Sequence, residues 1–137
     1  MTPDMSRTLA RALPLLPLLV ACGSPPLVHG TRRAIGADAV IQVERIEGGN
    51  QLVTVQVRHL PPPERLAPGA TRFVMWFVRS GHPATMASEL HYDSGSRQGR
   101  ARATIPHRGF QVIITAERAG VVSVPSEHVV FRDRPRQ

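Results

Sequence analysis

The sequence predicts an all-β sandwich of about seven strands that follows a short signal peptide and a flexible tether. From residue 39 onward, apolar residues recur at every second position in short runs, which is the period of half-buried strands. Clusters of Gly, Pro, Asn and Asp separate these runs at fairly regular spacing. No stretch after residue 21 shows the 3.6-residue apolar period of an amphipathic helix.

Residues 1–21 have the three parts of a secretory signal peptide. Arg7 and Arg11 give a positive start, an apolar run follows over 12–21, and the small residue Ala21 precedes the cleavage point. This run is too short for a spanning helix, which needs roughly 20 apolar residues. The sequence therefore predicts an exported protein.

The signal peptide ends in Leu19-Val20-Ala21-Cys22, which resembles the lipobox of bacterial lipoproteins. The resemblance implies a diacylglyceryl thioether on Cys22, cleavage before it, and acylation of the new amino terminus. The membrane would then be a partner through the acyl chains on Cys22, because several chains give the stable anchoring that one chain does not. The alternative is an ordinary cleaved signal peptide with an incidental cysteine.

The expected location is the bacterial cell envelope. Cys22 is the single cysteine of the chain, and lipidation would leave no unpaired thiol in an oxidising compartment. Gly23 stands where enteric-type sorting places the aspartate that retains lipoproteins at the inner membrane. We therefore expect the outer membrane rather than the inner one.

The mature chain, residues 22–137, is basic and long enough for one domain with its own core. Without Arg7, Arg11 and Asp4 it carries 15 arginines, no lysine and 9 acidic residues, a net charge of +6. Such a balance favours an anionic polymer or an envelope protein as partner, although arginines that only solvate the outer faces are the alternative. Nucleic acid is not an expected partner, because no aromatic residues interleave with the arginines to stack on bases.

The domain boundaries follow from composition and period. Residues 22–38 are polar, contain Pro and Gly and lack periodicity, which predicts a flexible tether. The sandwich domain is expected over 39–132 and a frayed polar tail over 133–137. The expected strands, with a further brief pairing at 121–124, cover 39–44, 52–59, 72–80, 85–92, 100–105, 110–117 and 128–132.

The stretch 72–80 is the most apolar of the mature chain, and both of its faces are apolar, which predicts a central strand. It carries Trp76 on the third strand, where immunoglobulin-type sandwiches often bury a tryptophan. We therefore expect a sandwich of immunoglobulin or fibronectin type III character. No disulfide is available to pack against the tryptophan, so the likeness is one of architecture, and a closed barrel is the alternative.

The second half of the chain has a recognisable spacing of structural residues, namely Trp76, Gly81, Pro83, Leu90, Gly95, Gly99, the run 110–117 and Pro125. Over residues 70–132 this spacing resembles the extracytoplasmic domain of anti-sigma-K-type factors. The resemblance implies a small exported β-sandwich. The sequence lacks that family's cytoplasmic helical domain and transmembrane helix, so sigma-factor binding is not carried over. An envelope-stress sensing accessory protein stays one alternative.

Residues able to do chemistry are scattered, and the sequence predicts neither an enzyme nor a cofactor. The six histidines form no HxH or HExxH pair, whereas a zinc site needs three or four convergent ligands. Ser96, between Gly95 and Gly99, lacks the GxSxG spacing and lies in an expected turn. A small metal-binding or hydrolytic envelope lipoprotein that gathers some of these histidines is the alternative.

Four arginines sit at positions expected to face outward on strands: Arg45, Arg58, Arg100 and Arg102. If their strands are neighbours, the guanidinium groups form a ladder on one sheet face, which is the candidate ligand-facing surface. The alternative is a solvated face on which Glu44 or Glu89 pairs with these arginines. We therefore expect a lipid-anchored, non-catalytic binding or adaptor module.

Overall fold

A computed structural model describes residues 23–137 of the chain, so the signal peptide and Cys22 lie outside the described residues. The described part forms two antiparallel sheets that pack face to face, and the predicted all-β sandwich is confirmed. None of the helices within residues 23–137 is long and apolar enough to span a membrane.

Nine strands are present in residues 23–137, two more than the sequence predicts. Three short helical turns join them, at Arg32–Ala34, Glu47–Gly49 and Pro63–Leu66. The strands are β1 Leu27–His29, β2 Asp38–Arg45, β3 Gln51–Arg58, β4 Arg72–Arg79, β5 Thr85–Glu89, β6 His91–Asp93, β7 Gln98–Ile105, β8 Phe110–Glu117 and β9 Val129–Asp133.

The strand order is that of an immunoglobulin-type sandwich. One sheet has the order β1-β2-β3-β7-β6 and the other has the order β5-β4-β8-β9. Apart from the extra edge strand β1, the first corresponds to strands A-B-E-D of that architecture and the second to C-F-G with one added strand. Both sheets keep their edges, so the described chain is a sandwich and not a closed barrel.

The stretch expected to form one strand over 85–92 divides between the two sheets. β5 pairs with β4, and β6 pairs with β7 in the other sheet. The change of sheet occurs at Leu90, whose side chain is buried and whose N–H donates to the Phe73 carbonyl at 2.9 Å. This crossing closes one edge of the sandwich near Leu90.

The main core lies between the sheets and follows the predicted alternation. Val53, Val55 and Val57 of β3 are buried, while the residues between them are half-buried or exposed. From the other sheet, Phe73 and Met75 of β4 fill the same core. Period-two burial therefore fixes which face of each strand points inward.

Trp76 is buried, as expected. In immunoglobulin domains the tryptophan packs between the two sheets, whereas Trp76 lies outside this core. It lies with Val74 and Ile113 in a second apolar cluster on the opposite face of the four-stranded sheet. Val122, in the segment 118–128, packs over this cluster. The brief strand expected at 121–124 is absent from the described structure, because that segment covers the sheet instead of pairing with it.

Residues 27–38 belong to the folded domain, so the tether predicted to run to Asp38 is too long. β1 pairs with β2, and Ala34 and Ala37 are each only 1% exposed. The Thr31 N–H donates to the Val130 carbonyl at 2.9 Å, which joins this segment to β9. At Gly30 any Cβ would lie 2.1 Å from the Ala34 carbonyl oxygen, so this turn requires glycine. The domain therefore begins at Leu27.

The carboxyl-terminal residues are also attached, contrary to the frayed tail expected over 133–137. β9 extends to Asp133, and Pro135 is buried. The Gln137 side-chain oxygen accepts a hydrogen bond from the Gly109 N–H at 2.7 Å. The folded domain therefore includes residues 133–137.

Candidate functional site

Within residues 23–137, no other element packs on the outward face of the five-stranded sheet, and we call this mainly polar face the open face. It carries the outward side chains of β2, β3, β6 and β7, while the matching face of the other sheet lies under the segment 118–128. Its polar members on these strands are Asp38, Gln42, Glu44, Thr54, Gln56, Arg58, His91, Asp93, Gln98, Arg100, Arg102 and Thr104, and Val40 and Leu52 lie among them. One outer face of the sandwich is therefore mainly polar and exposed, and the other is apolar and partly covered.

Three of the four predicted arginines share the open face. Arg100 and Arg102 are two residues apart on β7, where they pair with Gln56 and Thr54 of β3. Arg58 lies two residues beyond Gln56, so it is a diagonal neighbour of Arg100, a separation of about 7–8 Å between Cα atoms. All three side chains are exposed. The expected ladder therefore exists, and it spans two adjacent strands.

Arg45 does not belong to this face, so the prediction of an outward phase is wrong for this residue. Its register partner on β3 is Gln51, which is buried on the core side of the sheet. Arg45 shares the phase of Ile41 and Val43, and it is exposed because β2 ends there, beyond the core. The exposure of a residue at a strand end therefore does not show on which face of the sheet its side chain lies.

The arginines of the open face form no salt bridge with a described acidic side chain, although Asp38 lies directly opposite Arg58 in the strand register. Among residues 23–137, no carboxylate oxygen lies within 4.0 Å of the guanidinium nitrogens of Arg58, Arg100 or Arg102. Glu89, expected as a partner, instead binds Arg72 at 3.1 Å on the four-stranded sheet. Glu44, the other expected partner, lies opposite Leu52 in the strand register and not opposite an arginine. The open face therefore presents guanidinium donors that match phosphate or carboxylate oxygens.

The histidines are dispersed over the sandwich. His29 and His59 approach one carboxylate, with their Nδ1 atoms 3.0 Å and 3.8 Å from the oxygens of Asp38. His91 lies on the open face beside Arg100, and His82 and His107 lie in turns. Within residues 23–137, no three His, Cys, Asp or Glu side chains converge in a way that could hold a metal ion.

Ser96 participates in a turn, as its position predicts. The Asp93 carboxylate accepts hydrogen bonds from the N–H groups of Gly95 at 3.0 Å and Ser96 at 3.2 Å. Hydrogen bonds from the Ser96 side chain, and then from these two amides, lower the pKa of Asp93, because they favour its charged form. Ser96 therefore stabilises the turn between β6 and β7.

A chain of buried polar groups under the segment 118–128 was not anticipated from the sequence. Trp76 Nε1 donates to the Thr115 hydroxyl at 2.9 Å, and that hydroxyl donates to Glu117 Oε1 at 2.6 Å. The same oxygen accepts the Ser126 N–H at 2.8 Å. The available signal is the pair Thr115 and Glu117 at alternate positions of a mainly apolar strand.

Ser126 and His128 lie beside Glu117, but they do not form a nucleophile and base pair in this geometry. The Ser126 hydroxyl donates to the Ala116 carbonyl at 3.0 Å and accepts the backbone N–H of His128 at 3.2 Å. Nδ1 of His128 is buried without a hydrogen-bond partner. Nucleophilic catalysis needs a hydrogen bond from the hydroxyl to the imidazole, whereas this serine fastens the segment 118–128 to β8.

Comparisons with protein-family models, with curated proteins and with solved structures found no match to this chain. The resemblance to anti-sigma-K-type factors therefore stays a prediction, and the interpretation of function depends on the open face.

Proposed function

We propose that this chain is a lipid-anchored binding module of the bacterial cell envelope that holds an anionic polymer on its open face. The observation that carries the proposal is the cluster of Arg58, Arg100 and Arg102 on one exposed sheet face, where none of the three forms a salt bridge within the described chain. The acyl chains proposed on Cys22 would hold the domain close to the envelope. In this proposal the module has no catalytic role.

The chemistry of the open face suits a polymer better than a protein. Protein interfaces are centred on buried aromatic and apolar anchors. The open face instead places Thr54 and Gln56 between its arginines, and these side chains hydrogen-bond hydroxyl and phosphate groups. Because the three arginines lie on two adjacent strands, a chain of repeating anionic units can contact more than one arginine at a time.

Removing two charges from the open face is expected to weaken polymer binding about 100-fold. Each charge-assisted hydrogen bond contributes about 1.5–3 kcal/mol, and a factor of ten corresponds to about 1.4 kcal/mol. The variant is Arg100→Gln with Arg102→Gln. Binding of the mature protein to purified lipopolysaccharide and to peptidoglycan is measured at low and high salt, because screening should weaken the wild type most.

The matched control removes the same charge elsewhere, with Arg65→Gln and Arg134→Gln, two exposed arginines outside the open face. Equal weakening by both double variants would mean that net charge, and not this face, drives binding. Crosslinking in cells that captures one discrete protein through the open face, and no polymer, would make the module a protein adaptor instead.

The lipid anchor has a separate test at Cys22. Cys22→Ser removes the thiol that would carry the diacylglyceryl group, so we expect loss from the membrane fraction or accumulation of the uncut precursor. Incorporation of a labelled fatty acid should be lost at the same time. Ser24→Ala is the control, two residues away, and should fractionate like the wild type. Normal processing and membrane fractionation of Cys22→Ser would contradict lipidation.

A further inference from the structure

A cleft of about 440 Å³ opens between the two sheets, and none of the three arginines of the open face lines it. It lies where β5 begins, at Thr85, and β7 ends, at Ile105. At the other end of β5 the chain crosses between the sheets at Leu90 and closes the edge. β6 pairs only with residues 98–100 of β7, so within residues 23–137 it does not cover the far end of that strand.

The cleft combines an apolar floor with a basic rim. Phe77 and Ile105, both almost fully buried, form the floor. Met86, which is 42% exposed, also lines the cleft. Arg79, at the end of β4, and His107, in the turn after β7, line the rim. No Asp or Glu lines the cleft, and Arg79 has no carboxylate partner among the described residues.

His82 completes the rim and is held in place by the turn that follows β4. Its backbone N–H donates to the Arg79 carbonyl at 3.1 Å, in a turn that requires Gly81 at φ +73°. Its ring Nδ1 lies 2.9 Å from the Ser80 carbonyl oxygen, which assigns the proton to Nδ1. The Nε2 atom is left to act as an acceptor, or as a second donor when the ring is protonated.

We propose that this cleft binds a single-chain anionic amphiphile. The carboxylate or phosphate head would meet the guanidinium of Arg79, and the apolar chain would lie against Phe77 and Ile105. The volume falls in the range of small-molecule sites, about 300–1,000 Å³. Charge complementarity selects the occupant, because a cationic or zwitterionic head would find no acidic partner in the lining.

The test uses the full mature chain with Cys22→Ser, which needs no detergent that would compete for the cleft. Binding of dodecanoate and of dodecyl phosphate, both kept below micelle formation, is measured by isothermal titration calorimetry. Arg79→Gln is expected to weaken binding about tenfold, since one charge-assisted contact is lost. Thr85→Trp, which fills the cleft from an exposed position, is expected to abolish binding.

Arg102→Gln is the matched control, because it removes a charge from the open face and leaves the cleft intact. It should weaken polymer binding and leave dodecanoate binding unchanged, so the two proposals can fail separately. Vesicles with and without lysophosphatidylglycerol, an anionic lipid with one acyl chain, form a second arm. Sensitivity of vesicle binding to Arg79→Gln would identify a membrane lipid as the source of the head group.

Three results would overturn the proposal. One is equal binding of dodecyltrimethylammonium, which has the same chain and a cationic head. The second is wild-type affinity for dodecanoate in Arg79→Gln. The third is the absence of binding by the folded wild type in both arms. Circular dichroism shows whether each variant is folded. If Thr85→Trp does not fold, the affinity of Arg79→Gln for dodecanoate alone tests the proposal.

Discussion

Replacing Trp76 by alanine is expected to lower the free energy of unfolding by about 3–5 kcal/mol, the largest effect of any single substitution considered for this domain. The indole is completely buried on the outer side of the four-stranded sheet, between Ile113 and the covering residue Val122. Its removal leaves a cavity under the segment 118–128, and it also leaves the Thr115 hydroxyl without its indole donor.

Urea denaturation followed by circular dichroism measures this loss, since Trp76 is the chain's single tryptophan and cannot be the probe of its own removal. Trp76→Phe keeps most of the apolar contact and loses the indole N–H bond, so a cost of about 1–2 kcal/mol is expected. Val121→Ala is the control in the same segment, because Val121 is fully exposed and should change stability by less than about 0.5 kcal/mol. If Trp76→Ala costs no more than Val121→Ala, the second apolar cluster does not stabilise the domain.

The position of Trp76 shows where sequence patterns reach their limit. Alternation in β3 and β7 predicts the buried face correctly, because the polar residues between the apolar ones can face only solvent. In β4 both faces are apolar, so the pattern predicts a central strand without saying what covers each side. The cover on the Trp76 side is the irregular segment 118–128, and irregular segments have no period to recognise.

The short strands β1 and β6 were not predicted, because a short strand also lacks a recognisable period. β1 has three residues and β6 has three, too few for a period to be distinguished from chance. The burial of Ala34 and Ala37 follows from their contacts in space with the sandwich and not from local hydrophobicity. The crossing at Leu90 depends on which strands are neighbours, and this is decided by packing over the whole domain.

The candidate site was predictable in its residue types and only partly in its geometry. Arg58, Arg100 and Arg102 lie on one face because β3 and β7 pair in register, and a single sequence does not reveal which strands pair. The prediction for Arg45 was wrong because a side chain at the end of a strand is exposed on either face of the sheet. The cleft at Arg79 was not anticipated, since its lining comes from two separate stretches of the chain, 77–87 and 104–107, which lie in different sheets.

The second large effect is expected at Glu117, whose carboxylate joins β8 to the covering segment. Glu117→Ala removes the oxygen that accepts both the Thr115 hydroxyl and the Ser126 N–H. A buried donor left without an acceptor costs about 1–3 kcal/mol, so a total loss of about 3 kcal/mol is expected. Glu117→Gln keeps one acceptor oxygen in place and should cost about 1 kcal/mol.

Amide hydrogen exchange distinguishes a local role of Glu117 from a general loss of stability. In Glu117→Ala the amides of the segment 118–128 should exchange much faster than those of β3 and β7, because the bonds lost are those that fasten this segment. Glu127→Ala is the control, an exposed carboxylate in the same segment with no side-chain partner in the described chain. Uniform acceleration throughout the sandwich would contradict the local role.

The same substitution also tests why the two outer faces differ. Trp76, Thr115 and Glu117 form one continuous chain of hydrogen bonds, so the costs of Trp76→Phe and Glu117→Ala should be non-additive by at least about 0.5 kcal/mol. Strict additivity would mean that the apolar cluster and the carboxylate act independently. Coupling would mean that the carboxylate and the tryptophan together hold the cover in place. The apolar face of one sheet then stays sealed, and the open face of the other sheet is left as the broad exposed surface for a partner.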